Sequence, residues 1–119
     1  MKELTTETCI RQQVDIEKLQ SLRKQLLQKD DLDKLADLLA MAGNATRLKM
    51  LFLLIQSDEL CVCDMADIMG MGVSAISHQL RKLRDRGVIQ QRREGPTIYY
   101  QMTSGIFKDL LIELFEIDD

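Results

Sequence analysis

The 119-residue sequence has no tryptophan, one histidine, one proline and three cysteines, and each shortage narrows what it can do. With one histidine, the usual inventory for hydrolytic chemistry is missing, because nucleophile–base pairs and zinc hydrolases draw on several His, Ser, Cys or carboxylate groups acting together. An enzyme is therefore poorly supported. Long apolar runs are also lacking: the stretches Met50 to Ile55 and Leu110 to Ile112 fall far short of the roughly 20 residues that a membrane-spanning helix requires. The first residues, Met1 to Cys9, lack a basic patch followed by an apolar stretch, so no secretory signal is read and a cytoplasmic location with no membrane partner is expected. A reducing compartment disfavours structural disulfides, which leaves three roles for the cysteines: buried fillers, metal ligands or redox groups. The length suits one small domain.

Net charge is −3, which on average argues against nucleic acid as a partner. The average conceals a segregation. Between His78 and Arg93 stand Arg81, Lys82, Arg84, Arg86, Arg92 and Arg93 against Asp85 alone, a local balance of +5 that leaves −8 for the rest. A basic stripe on an acidic body is the footprint of a protein that meets phosphates with one face, although a solvated helix face gives the same composition.

Sparse glycine and proline divide the chain into short helices and one late hairpin. Apolar spacing predicts a helix from Val14 to Gln28 through Leu19, Leu22 and Leu26, preceded by an arm over residues 1–13. Asp30 or Asp31 can cap a second helix carrying Leu32, Leu35 and Leu39, and Asn44 a third in which Leu48, Leu51, Phe52 and Ile55 form the best core stripe. Leu60 to Met69 reads as a short helix, Gly70-Met71-Gly72 as a turn and Val73 to Arg86 as another helix that Gly87 stops. Two such helices joined by a glycine-containing turn outline a helix-turn-helix. In the second, Val73, Ile76, Leu80 and Leu83 share one face. Ser74, Ser77, His78, Arg81 and Lys82, with Gln79 and Arg84 alongside, offer donors to base edges or phosphates.

Val88 to Arg93 and Thr97 to Met102 flank Glu94-Gly95-Pro96 as a β-hairpin, with Ile98, Tyr100 and Met102 turned inward. A hairpin directly after a recognition helix is a wing, and Arg92 and Arg93 near its tip could reach a phosphate or the minor groove. The last segment, Gly105 to Glu116, is apolar on nearly every side. It needs cover on more than one face, for which a second subunit is the economical source. The expected fold is mainly α with a small β-hairpin, a homodimeric winged helix-turn-helix spanning residues 14–119.

The box Glu59-Leu-Cys-Val-Cys-Asp-Met65, the helix Val73-Ser-Ala-Ile-Ser-His-Gln-Leu-Arg-Lys-Leu83, Gly87-Val-Ile and Glu94-Gly-Pro-Thr-Ile-Tyr-Tyr-Gln101 together resemble the ArsR/SmtB family of bacterial repressors, over roughly residues 32–117. The resemblance implies a homodimer that binds an inverted-repeat operator and leaves it when an inducer, often a thiophilic metal, is bound.

The cysteines can be read physically beside that resemblance. Residues i and i+2 in mid-helix point about 200° apart, so Cys61 and Cys63 could share a metal only at a helix entrance, where the positive end of the helix dipole also favours thiolate. A small buried filler is the alternative for this pair, and an incidental exposed thiol the alternative for Cys9. The resemblance implies that the arm of one subunit brings Cys9 to Cys61 and Cys63 of the other, giving a three-sulfur site. Lead- and cadmium-responsive members carry two arm cysteines where this chain has one. Three thiolates suit Pb(II), As(III) or Bi(III); Cd(II), Zn(II) and Hg(II) would need a fourth or altered ligand. The family's second type of site, on the C-terminal helices, is expected to be absent, since Ser104, Ile106 and Ile117 occupy its positions. No further cysteine follows the box at Asp64, Met65 or Ala66, so arsenite would have to recruit Cys9. Three functional classes follow: a metal-responsive repressor, a repressor sensing thiol oxidation, and a dimeric interaction domain that never binds DNA.

Overall fold

In the computed structural model, which describes residues 10–116, the chain falls into two compact units divided between Lys34 and Leu35. Helix α1 (Ile16–Gln28) belongs to the first. It starts two residues later than the apolar spacing suggests, because Asp15 is its N-cap and accepts a hydrogen bond from the Lys18 amide at 3.0 Å. None of its residues is buried. Cys9 and the arm up to it lie outside the described residues.

The second unit carries most of α2 (Leu32–Ala42) and everything that follows: α3 (Ala45–Ser57), β1 (Leu60–Cys61), α4 (Val62–Met69), α5 (Val73–Asp85), β2 (Ile89–Glu94), β3 (Thr97–Met102) and α6 (Ile106–Leu114). Asn44 caps α3 as expected, accepting from the Arg47 amide at 3.1 Å. The side chain of Arg47 then turns back onto the end of α2. Its Nε donates to the Met41 carbonyl at 2.9 Å and Nη2 to that of Ala40 at 3.3 Å, satisfying carbonyls that a helix end leaves open.

The core joins α3, α4, α5, the sheet and one residue of α6: Met50, Leu51, Leu54, Met65, Ala66, Ile76, Leu80, Leu83, Val88, Ile89, Met102 and Leu111, with no buried polar side chain among them. Three expected faces and one expected element differ. In α3 the buried side is Met50, Leu51 and Leu54, while Phe52 is 38% exposed and meets Phe115 edge-on at 5.4 Å. Residues 50–55 are all apolar, so spacing alone could not set the helix phase. In α2, Leu38, Met41 and Ala42 pack on the core and Leu35 and Leu39 do not. Val73 opens α5 at 49% exposure, ahead of the turn that Ile76 anchors. Finally, Leu60 to Met69 is not one helix: Leu60 and Cys61 form a strand.

That strand makes the wing a three-stranded antiparallel sheet in the order β1-β3-β2. The register places Cys61 opposite Tyr99 and Tyr99 opposite Arg92. Side chains directly across a ladder share a face and alternate along each strand. One face therefore carries Leu60, Tyr100, Met102 and Ile89 toward the core, as expected for Tyr100 and Met102, with Ile98 half-buried beyond them. The other carries Cys61, Tyr99 and Arg92. Helix α6 stays largely bare: only Leu111 is buried, and Ile106 and Leu114 are 86% and 66% exposed. No single described helix is long and apolar enough to cross a membrane.

Candidate nucleic-acid interface and thiol box

Helices α4 and α5 meet through Gly70–Gly72. Gly70 takes the left-handed conformation (φ +64°) as the C-cap of α4, its amide reaching the Ala66 and Asp67 carbonyls. The anchored face of α5 is Ile76, Leu80 and Leu83, which leaves Ser74, His78, Arg81 and Lys82 exposed and Ser77 half-buried. Ser77, Arg81, Arg84 and Tyr100 line a polar cleft of about 230 Å³ between helix and wing. Donors and positive charge converge there, as phosphate binding requires. Gln79 is tied down: its Oε1 accepts from Nη1 of Arg47 at 3.1 Å, linking the recognition helix to the cap of α2. Its amide nitrogen is the part left for a base edge.

The cations of the basic stripe divide sharply. Arg81, Lys82 and Arg93 make no ion pair among the described residues, and Arg84 donates to neutral Gln91 at 3.0 Å, so all four keep their charge. Arg86 instead pairs with Asp37 at 3.2 Å. Arg92 is the most heavily engaged of all. Its Nε donates to Glu59 Oε2 at 2.9 Å, Nη2 to Glu59 Oε1 and Nη1 to Glu94 Oε2 at 2.9 Å, while the guanidinium lies 4.7 Å from the centre of the Tyr99 ring. A bidentate carboxylate, a second carboxylate and an aromatic face use most of what a guanidinium offers. The hydrogen bond from Arg92, and secondarily its charge, hold the Glu59 carboxyl below its ordinary range; Arg92 is pushed up, first by Glu59 and then by Glu94.

Strand alternation explains the division. Gln91, bonded to Arg84 of α5, sets the side of β2 that faces the recognition helix, and Arg93 two residues on shares that side. Arg92 points to the opposite face, the one that holds Cys61. Both are expected to reach a phosphate or the minor groove, yet the two wing arginines are physically different groups.

Cys61 is half-buried, extended (φ −88°, ψ 166°) and N-cap of α4; Cys63 is exposed in the first turn of that helix. Both are free thiols. The requirement set by the i, i+2 spacing is met, since one residue is strand and the other helix and the 200° separation of mid-helix does not apply. A helix entrance with soft donors fits a thiophilic ion. Among the described residues no cluster of three or more His, Cys, Asp or Glu side chains could hold a metal; Cys9, the expected third ligand, lies outside them. Ser104 and Ile106 are exposed and supply no thiol, imidazole or carboxylate. Sequence reasoning assigned no role to Glu59, Tyr99, Gln91 or Arg47. Glu59 and Tyr99 lie within the motif segments Glu59–Met65 and Glu94–Gln101, and the one local signal is Glu94, an acid immediately after Arg93 at the end of the basic stripe.

Comparison with known proteins accords with this architecture. Residues 44–91, from the N-cap of α3 into β2, match the family described as bacterial regulatory protein, arsR family. The chain is 30% identical over 106 residues to the transcriptional repressor SmtB homolog of Synechocystis sp., covering 89% of this chain and 80% of that one. It is 30% identical over 112 residues to the cadmium resistance transcriptional regulatory protein CadC homolog of Staphylococcus aureus, covering 94% and 92%. Among solved structures, the homodimeric winged helix-turn-helix DNA-binding domain of Mb0332 from Mycobacterium bovis superimposes with a TM-score of 0.66 at 29% identity, covering 91% of this chain and 89% of that one. The helix-turn-helix, its wing and these relatives lead to one assignment: the chain belongs to the ArsR family of winged-helix, DNA-binding transcriptional regulators, and is not an enzyme.

Proposed function

We propose that the protein is a metal-sensing repressor that binds an inverted-repeat operator as an apo homodimer and is released when a thiophilic ion binds Cys61 and Cys63, with Cys9 of the other subunit as third ligand. The observation that carries this reading is the position of the box. Cys61 is at once N-cap of the first helix of the helix-turn-helix and a strand residue of the wing sheet. A metal drawing Cys61 and Cys63 together acts on both DNA-facing elements at their common root. Binding to free protein more tightly than to the DNA complex, it must weaken DNA binding by the same factor, about 1–3 kcal/mol in typical couplings.

DNA contacts in this reading come from Ser74, Ser77, His78, Arg81, Lys82 and Arg84, with Gln79 and Arg93 at the edges and Arg92 where a phosphate draws it from its carboxylates. The bare apolar face of α6 supports the dimer, as does the homodimeric state of the Mb0332 domain. The name of the Staphylococcus relative supports a metal inducer. Pb(II), As(III) and Cd(II) suit the thiolate set, with Zn(II), Bi(III) and Hg(II) as further candidates. The test is titration of reduced protein with Pb(II), Cd(II), Zn(II) and As(III), following thiolate-to-metal ultraviolet absorption together with release of a DNA duplex selected by the protein from a random pool. Absorption and release at the same stoichiometry are expected. Release by oxidant alone, without metal, would instead favour thiol oxidation as the signal.

A further inference from the structure

Arg92 and Glu59 connect two parts of the molecule that the repressor reading treats separately. The sheet places Cys61, Tyr99 and Arg92 in one row across its three strands, on the face turned away from α5. Glu59, two residues before Cys61, reaches along that face to grip Arg92 with both carboxylate oxygens. Arg92 lies over the ring of Tyr99, itself the ladder partner of Cys61. The cysteine box is therefore joined to a wing cation by strand pairing on one side and by a two-point ion pair on the other.

The charge balance gives this link a consequence for DNA. Glu59 and Glu94 both engage Arg92, while Arg93 makes no ion pair among the described residues, so the charge of Arg92 reaches DNA only where those carboxylates release it. Phosphate oxygens and a carboxylate make the same demand on a guanidinium, two parallel N–H donors in one plane. A guanidinium has two edges that can each take an oxyanion; in Arg92 Glu59 holds one through Nε and Nη2 and Glu94 draws on the other through Nη1, so a phosphate that takes two parallel donors displaces a carboxylate. The Arg92 side chain is about half exposed (49%) and that of Glu59 less so (29%), so solvent reaches the pair and one partner can exchange for another.

We propose that Glu59 is a positioning residue that competes with DNA phosphate for Arg92, and that ordering of the cysteine box by an inducer shifts this competition toward Glu59. Without inducer, a phosphate draws Arg92 off Glu59. When the box is held, Glu59 is fixed two residues from Cys61, Arg92 stays paired, and each wing loses a contact. The two states are the paired and released forms of one side chain, biased oppositely by the two ligands, as linkage requires. The second half of this claim rests on the metal reading above; the first half does not.

The experiment compares wild type, Glu59→Gln, Arg92→Gln and the double variant, with circular dichroism confirming that each folds. Affinity for a fluorescein-labelled duplex of mixed sequence is measured by anisotropy across a salt series without metal. Glu59→Gln is expected to bind more tightly, with a salt slope steeper by a fraction of the roughly 0.9 that a whole new phosphate contact per wing would give, because Glu59 competes for Arg92 in the wild type only in part. That gain should vanish when Arg92 is already Gln, because the released guanidinium is its source. A gain that persists in the Arg92→Gln background is a general effect of removing negative charge and overturns the proposal, as does the absence of any gain. Glu59→Asp, which keeps the charge with a shorter reach, should restore part of the wild-type slope.

The link to the box is read separately. Glu59→Gln should titrate Cd(II) or Pb(II) with wild-type thiolate absorption yet release the selected duplex over a narrower range of affinity. Undiminished release overturns the link. If wild type shows no thiolate–metal absorption, the metal reading itself fails, and the salt series still decides the competition for Arg92.

Discussion

The recognition helix and the wing look alike as strings of basic residues and behave as opposites once folded. Helix α5 buries Ile76, Leu80 and Leu83 and frees Arg81 and Lys82. The wing has Met102 fully within the core and Tyr100 partly so, and spends Arg92 on Glu59, Glu94 and Tyr99. A helix can keep all its cations on one outer surface because its period lets a whole face escape the core. A strand cannot, since consecutive residues point to opposite sides. Arg92 and Arg93 are neighbours in sequence and antipodes in space. A count of basic residues therefore overstates the charge a wing offers to DNA.

The comparison can be broken most forcefully at its anchors. Leu80→Ala removes a fully buried side chain of α5 and should cost about 2–5 kcal/mol of stability, whereas Ile98→Ala, on a half-buried wing position, should cost clearly less. Urea denaturation of the two variants orders them. At the junction, Gly87 has φ +72° and closes α5, with the Val88 amide reaching the Leu83 carbonyl at 3.0 Å. Gly87→Ala forces a Cβ into the left-handed region and should cost about 1–2 kcal/mol, loosening helix and wing together in hydrogen exchange.

DNA binding separates the two regions by charge rather than stability. Arg81→Gln and Arg93→Gln should each lower the salt slope by about one per contact. Arg92→Gln should lower it by less, because Glu59 already competes for that group; a loss equal to that of Arg93→Gln would erase the distinction between the wing arginines. The smallest effect is that of acid. Glu59 is held below its ordinary value near 4.5 by the Arg92 hydrogen bond. The contribution of the pair is thus complete above the unfolded-state value and lost as pH falls through the lower folded one. The Arg92 Nε–H resonance should stay unchanged from neutral pH into mild acid and shift only below that range.

Much of this was legible in the residues. Asn44 is a cap by chemistry, Gly70 and Gly87 mark helix ends, and the inner face of α5 follows from its spacing, because polar residues interrupt the apolar ones often enough to fix the phase. The phase of α3 was illegible for the opposite reason, an unbroken apolar run from Met50 to Ile55. Strand β1 was missed because two residues carry no period, and Leu60–Cys61 becomes a strand only through pairing with Tyr99 and Tyr100. The thiol box was found from its cysteines. The Glu59–Arg92 pair spans 33 residues of sequence and depends on strand register, which no local pattern reports.

The central claim is that occupancy of the thiol box governs DNA release, and Cys61→Ser tests it most directly. This variant keeps the strand and the N-cap position while removing a sulfur ligand. In an anisotropy titration of the preformed DNA complex with Cd(II) or Pb(II), it should bind DNA as the wild type does and remain bound as metal is added. Release of Cys61→Ser at the wild-type metal concentration would contradict the account.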